Sequence, residues 1–227
     1  MNPQHNNLMS SDEIYEDICQ KIESLEYMPG SRLSENELCK FYDTTRHVVR
    51  NALARLKQRK LVDVFPQRGT YVSLIDMDYI ADILYMRESI EQEALSRIME
   101  MEDVSSTVML LQTAVKAQKN LVQGSNYSAE FQELDNLFHH TLLETVNKPN
   151  VMNLISEPYI HIRRWRNYEI RTGKRMQEIV LEHEAIIEAI QKRDKISGRA
   201  CLHKHLDTVS RYSKPLKELE AQYFVES

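Results

Sequence analysis

The chain has 227 residues, 28% of them charged and 42% hydrophobic, with five glycines and six prolines. These figures exclude a wholly disordered chain and a turn-rich all-β one, and they favour helix. The formal net charge of −5 argues against nucleic-acid binding by the chain as a whole, and no run of about 18 apolar residues is present to cross a membrane. The start, Met1 to Ser10, is polar and lacks the apolar core of a signal peptide, so a cytoplasmic protein is expected. Cys19, Cys39 and Cys201 are odd in number and far apart, which excludes a disulfide framework and a paired-thiolate metal site and leaves them as small buried hydrophobes.

Charge is unevenly distributed. Residues 1–75 are neutral overall and the remainder carries the net −5, yet between Thr44 and Val62 there are six cations (Arg46, Arg50, Arg55, Lys57, Arg59 and Lys60) and no acid. Local charge of this kind matters more for DNA than whole-chain charge. Ile14, Ile18, Ile22 and Leu25 recur at helical spacing, predicting a helix over about Ser11–Glu26, capped by Ser10 or Ser11 and stopped at Met28-Pro29-Gly30. Ser34-Glu35-Asn36-Glu37 reads as a capping box opening a second helix with Leu38 and Phe41 inward. Thr44 or Thr45 caps a third, which buries Val48 or Val49, Ala52, Leu53 and Leu56 and places Arg46, His47, Arg50 and Asn51 on the opposite face near its start. Two β-type runs, Leu61–Phe65 and Thr70–Leu74, are joined by Pro66-Gln67-Arg68-Gly69. Three helices followed by a hairpin describe a winged helix-turn-helix, whose third helix enters the major groove. Arg46 and Arg50 are then placed to read guanine edges, and Arg68 beside Gly69 brings the wing tip to the backbone or minor groove. Arg55, Lys57, Arg59 and Lys60 read as a solvated face.

These residues carry a family resemblance. Pro29–Glu35, Thr45–Leu53, Leu61-Val62 and Pro66–Val72 resemble the DNA-binding domain of the GntR family of bacterial transcriptional regulators. The resemblance implies DNA contact by Arg32, Glu35, Thr45, Arg46, His47, Arg50, Arg68 and Gly69. Three positions depart from the family pattern: Thr45 stands where Ser is frequent, Lys60 where Gly is usual, and Asn36 where some members carry a DNA-contacting Arg. The departures bear on operator preference.

From Asp76 onward the periodicity is helical. Ile80, Ile83, Leu84, Met86, Ile90 and Ala94 mark one helix, and Val108, Leu110, Leu111, Val115 and Leu121 the next. Breaks fall at Gly124-Ser125-Asn126 and Asn147–Asn150, and further helices are predicted over about 128–146, 150–172, 173–192 and 194–212. Six or seven such helices make a bundle with interior-facing sites. The expected fold is therefore mainly α: a winged helix-turn-helix over 1–75 and an all-α bundle over 76–227, ending in a frayed polar stretch from Lys214 to Ser227.

Asp135 and His139 are four apart on one helix and point the same way. With His183 on a second helix and His205 on a third, they form a set that suits a divalent metal, though by spacing alone the signal is weak and a lone histidine is more often a satisfied core or surface residue. Asp135–His139, Asn150, Glu182-His183 with Ile186 and Ala189-Ile190, Asp194 and His205 resemble the FCD ligand-binding domain of the FadR-type branch of GntR regulators. Together the two resemblances span roughly residues 11–215. They imply a divalent metal (Zn, Ni or Mn) on Asp135, His139, His183 and His205, with His140 and His203 outside the site, and an effector carboxylate on Arg87 or, as readily, a salt bridge there. One of Arg163, Arg164 and Arg166 is expected to enter the pocket. The function implied is a homodimeric repressor, not an enzyme, that binds a near-palindromic DNA operator and responds to a small organic acid. A purely structural metal is the alternative within that reading, and a metal-dependent hydrolase with Glu182 as base is the alternative outside it.

Overall fold

The computed structural model describes residues 9–122, 129–170 and 175–226. The expected break at Gly124–Asn126, the helix start at 128, the junction at 172–173, the polar start and Ser227 lie outside the described residues. The described residues form two compact units: 9–76 with 217–226, and those within 77–216. Residues 217–226 thus group with the first unit and not with the bundle.

In the first unit, α1 (Ser11–Glu23) begins at Ser10, whose hydroxyl accepts from the Glu13 amide while the Glu13 carboxylate accepts from the Ser10 amide, a full capping box. The expected box at α2 (Glu35–Phe41) is only half made: Ser34 accepts from the Glu37 amide. Leu38 is buried, but Phe41 is 67% exposed, with its ring under the Lys21 ammonium. The three-residue step from Leu38 sets Phe41 at the edge of the buried face of a seven-residue helix. α3 (Arg46–Gln58) buries Val49, Ala52, Leu53 and Leu56 against α1, with Thr45 at its N-cap. Of the four cations expected to form a solvated face, Arg55 and Arg59 hold α1 and α3 together instead. Arg55 lies 3.8 Å over the Tyr15 ring and pairs with Asp12, and Arg59 donates to the Tyr15 hydroxyl at 2.6 Å.

The wing strands are β2 (Val62–Phe65) and β3 (Gly69–Val72), paired antiparallel with Val62 opposite Val72. A third strand, β1 (Arg32–Leu33), pairs on the other side of β3, giving the order β1-β3-β2. Two residues are too few to show an alternating pattern, which is why periodicity misses this strand. The turn needs positive φ at Gln67 (62°) and Gly69 (116°), and at Gly69 any Cβ would come within 3.2 Å of the Arg32 side chain.

The second unit is helical throughout its described residues. It comprises α4 (Met77–Glu100), α5 (Ser105–Leu121), α6 (Ala129–Thr145), a 3-10 turn over Val151–Ile155, α7 (Ser156–Ile170), α8 (Arg175–Lys192), α9 (Lys195–Leu206) and α10 (Thr208–Leu219). The expected single helix over 194–212 is two, because Asp207 leaves helical geometry with ψ at 61°. The core is an apolar cluster around Leu111, Phe131, Phe138, Leu142, Ile186 and Leu202 of α5, α6, α8 and α9, joined by Leu95, Ile98 and Met99 of α4. Cys19 is buried, while Cys39 and Cys201 are half-buried.

Lys60 ends α3 at φ 57°. The left-handed region costs an L-residue about 1–2 kcal/mol, more than the roughly 0.5–1 kcal/mol of entropy that glycine gives up. Lys60→Gly is therefore expected to stabilise the chain by about 0.5–1 kcal/mol, measured by urea denaturation.

Candidate metal centre and nucleic-acid interface

Asp135 and His139 project from one face of α6, His183 from α8 and His205 from α9, and all four are buried. One ligand atom from each lies within 4.8 Å of the other three. His139 Nε2 and His205 Nε2 are 3.0 Å apart, and Asp135 Oδ1 is 3.6 Å from His183 Nε2 and 4.0 Å from His139 Nε2. The opposite edge of each imidazole is engaged. His139 Nδ1 meets Glu91 Oε2 at 2.6 Å, His183 Nδ1 meets Gln118 Oε1 at 2.9 Å, and His205 Nδ1 meets Glu182 Oε2 at 3.0 Å. All three partners are acceptors, so each Nδ1 donates, and each ring turns its Nε2 inward.

Part of the inward face has no protein partner. His183 Nε2 and Asp135 Oδ1 are buried without a hydrogen-bond partner. At 3.0 Å, the inward nitrogens of His139 and His205 repel unless a proton or a cation lies between them. On two of the rings a proton is disfavoured: burial, then neighbouring His205, pushes His183 far below the ordinary histidine value, and burial pushes His205 down to about 4 against the pull of Glu182. Burial acts to raise the Asp135 carboxyl, yet Arg166 and the three imidazoles hold it well below the usual carboxylate range. A carboxylate together with three imidazoles is the donor chemistry of a borderline divalent cation. Atoms about 2.1 Å from one ion stand roughly 3 Å apart when adjacent and about 4.2 Å when opposite, which brackets the three separations above.

A charged shell surrounds the four residues. Arg87 is fully buried on α4. Its Nε donates to Glu91 Oε1 at 2.6 Å, and its two terminal nitrogens have no hydrogen-bond partner. Against the opposing effect of burial, His139 and Arg87 hold Glu91 down to about 2. Of the three arginines on α7, Arg166 is the one that reaches Asp135, at 3.2 Å. Arg164 is buried and Arg163 lines a surface cavity of about 420 Å³ together with His139, Asn136, Met152 and Tyr159. The Tyr159 ring also lies 5.2 Å from the Arg87 guanidinium. His140 is half exposed beside Glu144, and His203 is exposed beside Glu88. The sequence reading missed Glu91 and Gln118. Glu91 follows Arg87 by one turn on an otherwise apolar stripe, which is the signal that could have found it.

In the first unit, Arg46, His47 and Arg50 are exposed on one face of α3. Two are held in place: Arg50 Nε donates to both oxygens of Glu35 at 3.1 and 3.0 Å, and Arg46 Nη2 donates to Asn36 Oδ1 at 2.9 Å. Glu35 thereby serves as a partner of Arg50, which leaves the far end of that guanidinium available. His47 sits 3.3 Å from the Asn51 amide. Arg32, whose side chain packs on Gly69, and Arg68 at the turn place two more cations on the sheet.

With this geometry described, comparison with known proteins is informative. Residues 10–72 match the model of the bacterial regulatory proteins of the gntR family, and residues 82–208, more than half of the chain, match the FCD domain. An HTH-type transcriptional regulator of Streptomyces ambofaciens is 29% identical over 91% of this chain and 86% of its own length. RspR, an HTH-type transcriptional repressor of Escherichia coli (strain K12), is 25% identical over 95% and 94%. Among solved structures, the E. coli protein McbR/YncC shares the fold with a TM-score of 0.61 at 18% identity, covering 94% of this chain and 98% of that one. The chain belongs to the GntR family, in its FCD-containing branch. It is a DNA-binding transcriptional regulator, and its families are regulators and not enzymes. No described helix is long and apolar enough to cross a membrane.

Glu91 serves two buried partners at once, Arg87 and His139. Glu91→Ala is expected to cost about 3–5 kcal/mol of stability, the penalty for leaving a buried charge alone. Denaturant unfolding monitored by circular dichroism provides the measurement.

Proposed function

We propose that this regulator is a homodimeric repressor whose helical unit binds a divalent metal and, beside it, a small carboxylate effector. The observation that carries the reading is the inward convergence of three buried imidazole Nε2 atoms and one carboxylate within 4.8 Å of one another. Asp135, His139, His183 and His205 would hold the ion, and Glu91, Gln118 and Glu182 fix the imidazole orientations. Once bound, the metal supplies Lewis acidity for anchoring an anionic ligand. Four protein ligands leave positions open in five- or six-coordination. The unpartnered terminal nitrogens of Arg87 make it the residue to receive the carboxylate, its Nε being taken by Glu91. The cavity at His139 and Tyr159 supports access from solvent.

On the DNA side, Arg46 and Arg50 read base edges from α3, Thr45 and His47 accompany them at its start, and Arg32, Arg68 and Gly69 approach the backbone from the wing. A two-fold dimer matches a near-palindromic operator. Repression is supported by relatives named as repressors, RspR and the galactonate operon transcriptional repressor of E. coli, the latter 24% identical over 93% of this chain. An effector acts by binding the DNA-competent and DNA-incompetent states unequally. A cytoplasmic location accords with this role.

Elemental analysis of the purified protein tests the metal. About one divalent ion per chain is expected, falling sharply in His205→Ala, and Gln118→Leu should weaken affinity about 10–100-fold through loss of the His183 orienting bond. A metal-free wild type after incubation with Zn, Ni and Mn would overturn the reading. For DNA, Arg46→Ala or Arg50→Ala should cost about 1–3 kcal/mol at the base position it reads with metal content unchanged. Selection from a random duplex library measures it, and an unaltered base preference would remove these residues from the interface.

A further inference from the structure

The segment expected to fray is anchored at both ends. In the first unit, the Ile75 amide donates to the Tyr223 carbonyl at 2.9 Å and the Val225 amide donates to the Ile75 carbonyl at 3.0 Å, forming a parallel bridge between Ile75 and Phe224. Phe224 is 3% exposed, and a frayed end does not bury a phenyl ring. Ile75 lies just past β3, so the bridge grips the root of the wing.

In the second unit, the start of α10 is tied to the residues around the metal centre. Arg211 Nη1 donates to Glu182 Oε1 at 2.7 Å and to the Lys204 carbonyl at 2.9 Å, Tyr212 donates to Glu178, and Trp165 Nε1 donates to Thr208 Oγ1 at 3.0 Å. The second oxygen of Glu182 accepts from His205 Nδ1 at 3.0 Å and from Arg175 at 2.9 Å. One carboxylate therefore holds a metal-directed histidine through one oxygen and α10 through the other. The division between the units falls within α10, at 216–217, so a single helix links Arg211 to the segment that ends in the Phe224 bridge.

We propose that α10 and residues 220–225 form a coupling strap, through which occupancy at His205 alters the hold of Phe224 on the DNA-binding unit, with Glu182 and Arg211 as its positioning residues. The proposal rests on the metal reading above. His205 with a cation on Nε2 donates more strongly from Nδ1, and Glu182 then shares its charge differently between His205 and Arg211. Hydrogen bonds that share one acceptor group polarise one another, so the change is felt at α10. The anchor includes two backbone hydrogen bonds and the buried Phe224 ring. Coupling between two sites changes an equilibrium about 5–150-fold.

The test uses the full chain, stripped of metal and titrated with zinc. Calorimetry reads zinc binding, and amide hydrogen exchange reads Ile75 and Val225. Zinc is expected to change exchange at both amides by about 5-fold or more in the wild type. In Arg211→Ala the chain should still bind zinc while the response at Ile75 and Val225 disappears, and Arg211→Lys, which keeps a donor to Glu182, should restore part of it. Zinc bound with no change at these amides, or with an equal change in Arg211→Ala, overturns the strap and leaves the metal reading standing. No zinc binding by the wild type overturns the metal reading and the strap together.

Discussion

The lone pairs that converge inside the bundle are the constraint on which the second unit depends. Three imidazoles and a carboxylate placed within a few ångströms would ordinarily be a liability, since buried groups without partners cost free energy and like dipoles repel. The chain meets this on the outer side of every ring: Glu91, Gln118 and Glu182 each take an Nδ1 proton, and Arg166 takes the spare oxygen of Asp135. The Phe138 ring stacks on His183 at 3.8 Å, closing the apolar side. Each outer partner comes from a different helix, and two of them, Glu91 and Glu182, are themselves shared with arginines. The polar interior is therefore a continuous set of charge-assisted bonds around an unsatisfied centre, and the helices that supply it are held in register by it.

The DNA-binding unit solves a different problem with little net charge. Whole-chain acidity would repel a duplex, but the cations on α3 divide by position. Those late in the helix, Arg55 and Arg59, turn back onto Tyr15 and Asp12 and cement α1 to α3. Those early in the helix, Arg46 and Arg50, remain exposed and are restrained laterally by Asn36 and Glu35. Long arginine side chains otherwise lose rotamer entropy on meeting a base. Partial restraint reduces that loss and favours one direction of approach. Glu35 is the more informative of the two, because its carboxylate occupies Nε and leaves the terminal nitrogens, the pair that bidentate guanine recognition uses.

Much of this was legible in the sequence because it is written as periodicity and punctuation. The 3.6-residue stripes of α1 and α3, the β runs on either side of Pro66–Gly69, and the four-residue step from Asp135 to His139 are local patterns. What was not legible is what distant residues do together. The apolar stripe of α4 can mark Glu91 as buried, but nothing local says that it faces His139 or that Gln118 faces His183, because those partners lie on other helices. β1 is too short for alternation, and Phe41 reads as inward until the end of α2 removes its partner. Residues 220–226 read as polar fraying because a two-bond bridge to Ile75 leaves no pattern beyond a lone aromatic, Phe224.

The two chain crossings between the units both lead to the same polar network. The first, at 76–77, leads into α4, which carries Arg87 and Glu91 toward His139. The second, at 216–217, falls within α10, which carries Arg211 toward Glu182, the partner of His205. His139 and His205 are themselves in contact, their Nε2 atoms 3.0 Å apart, so the partners reached from the two crossings meet at the centre of the four-residue set. Sub-ångström adjustments at a closely packed centre are transmitted rather than absorbed, because a dense interior has few voids to take them up.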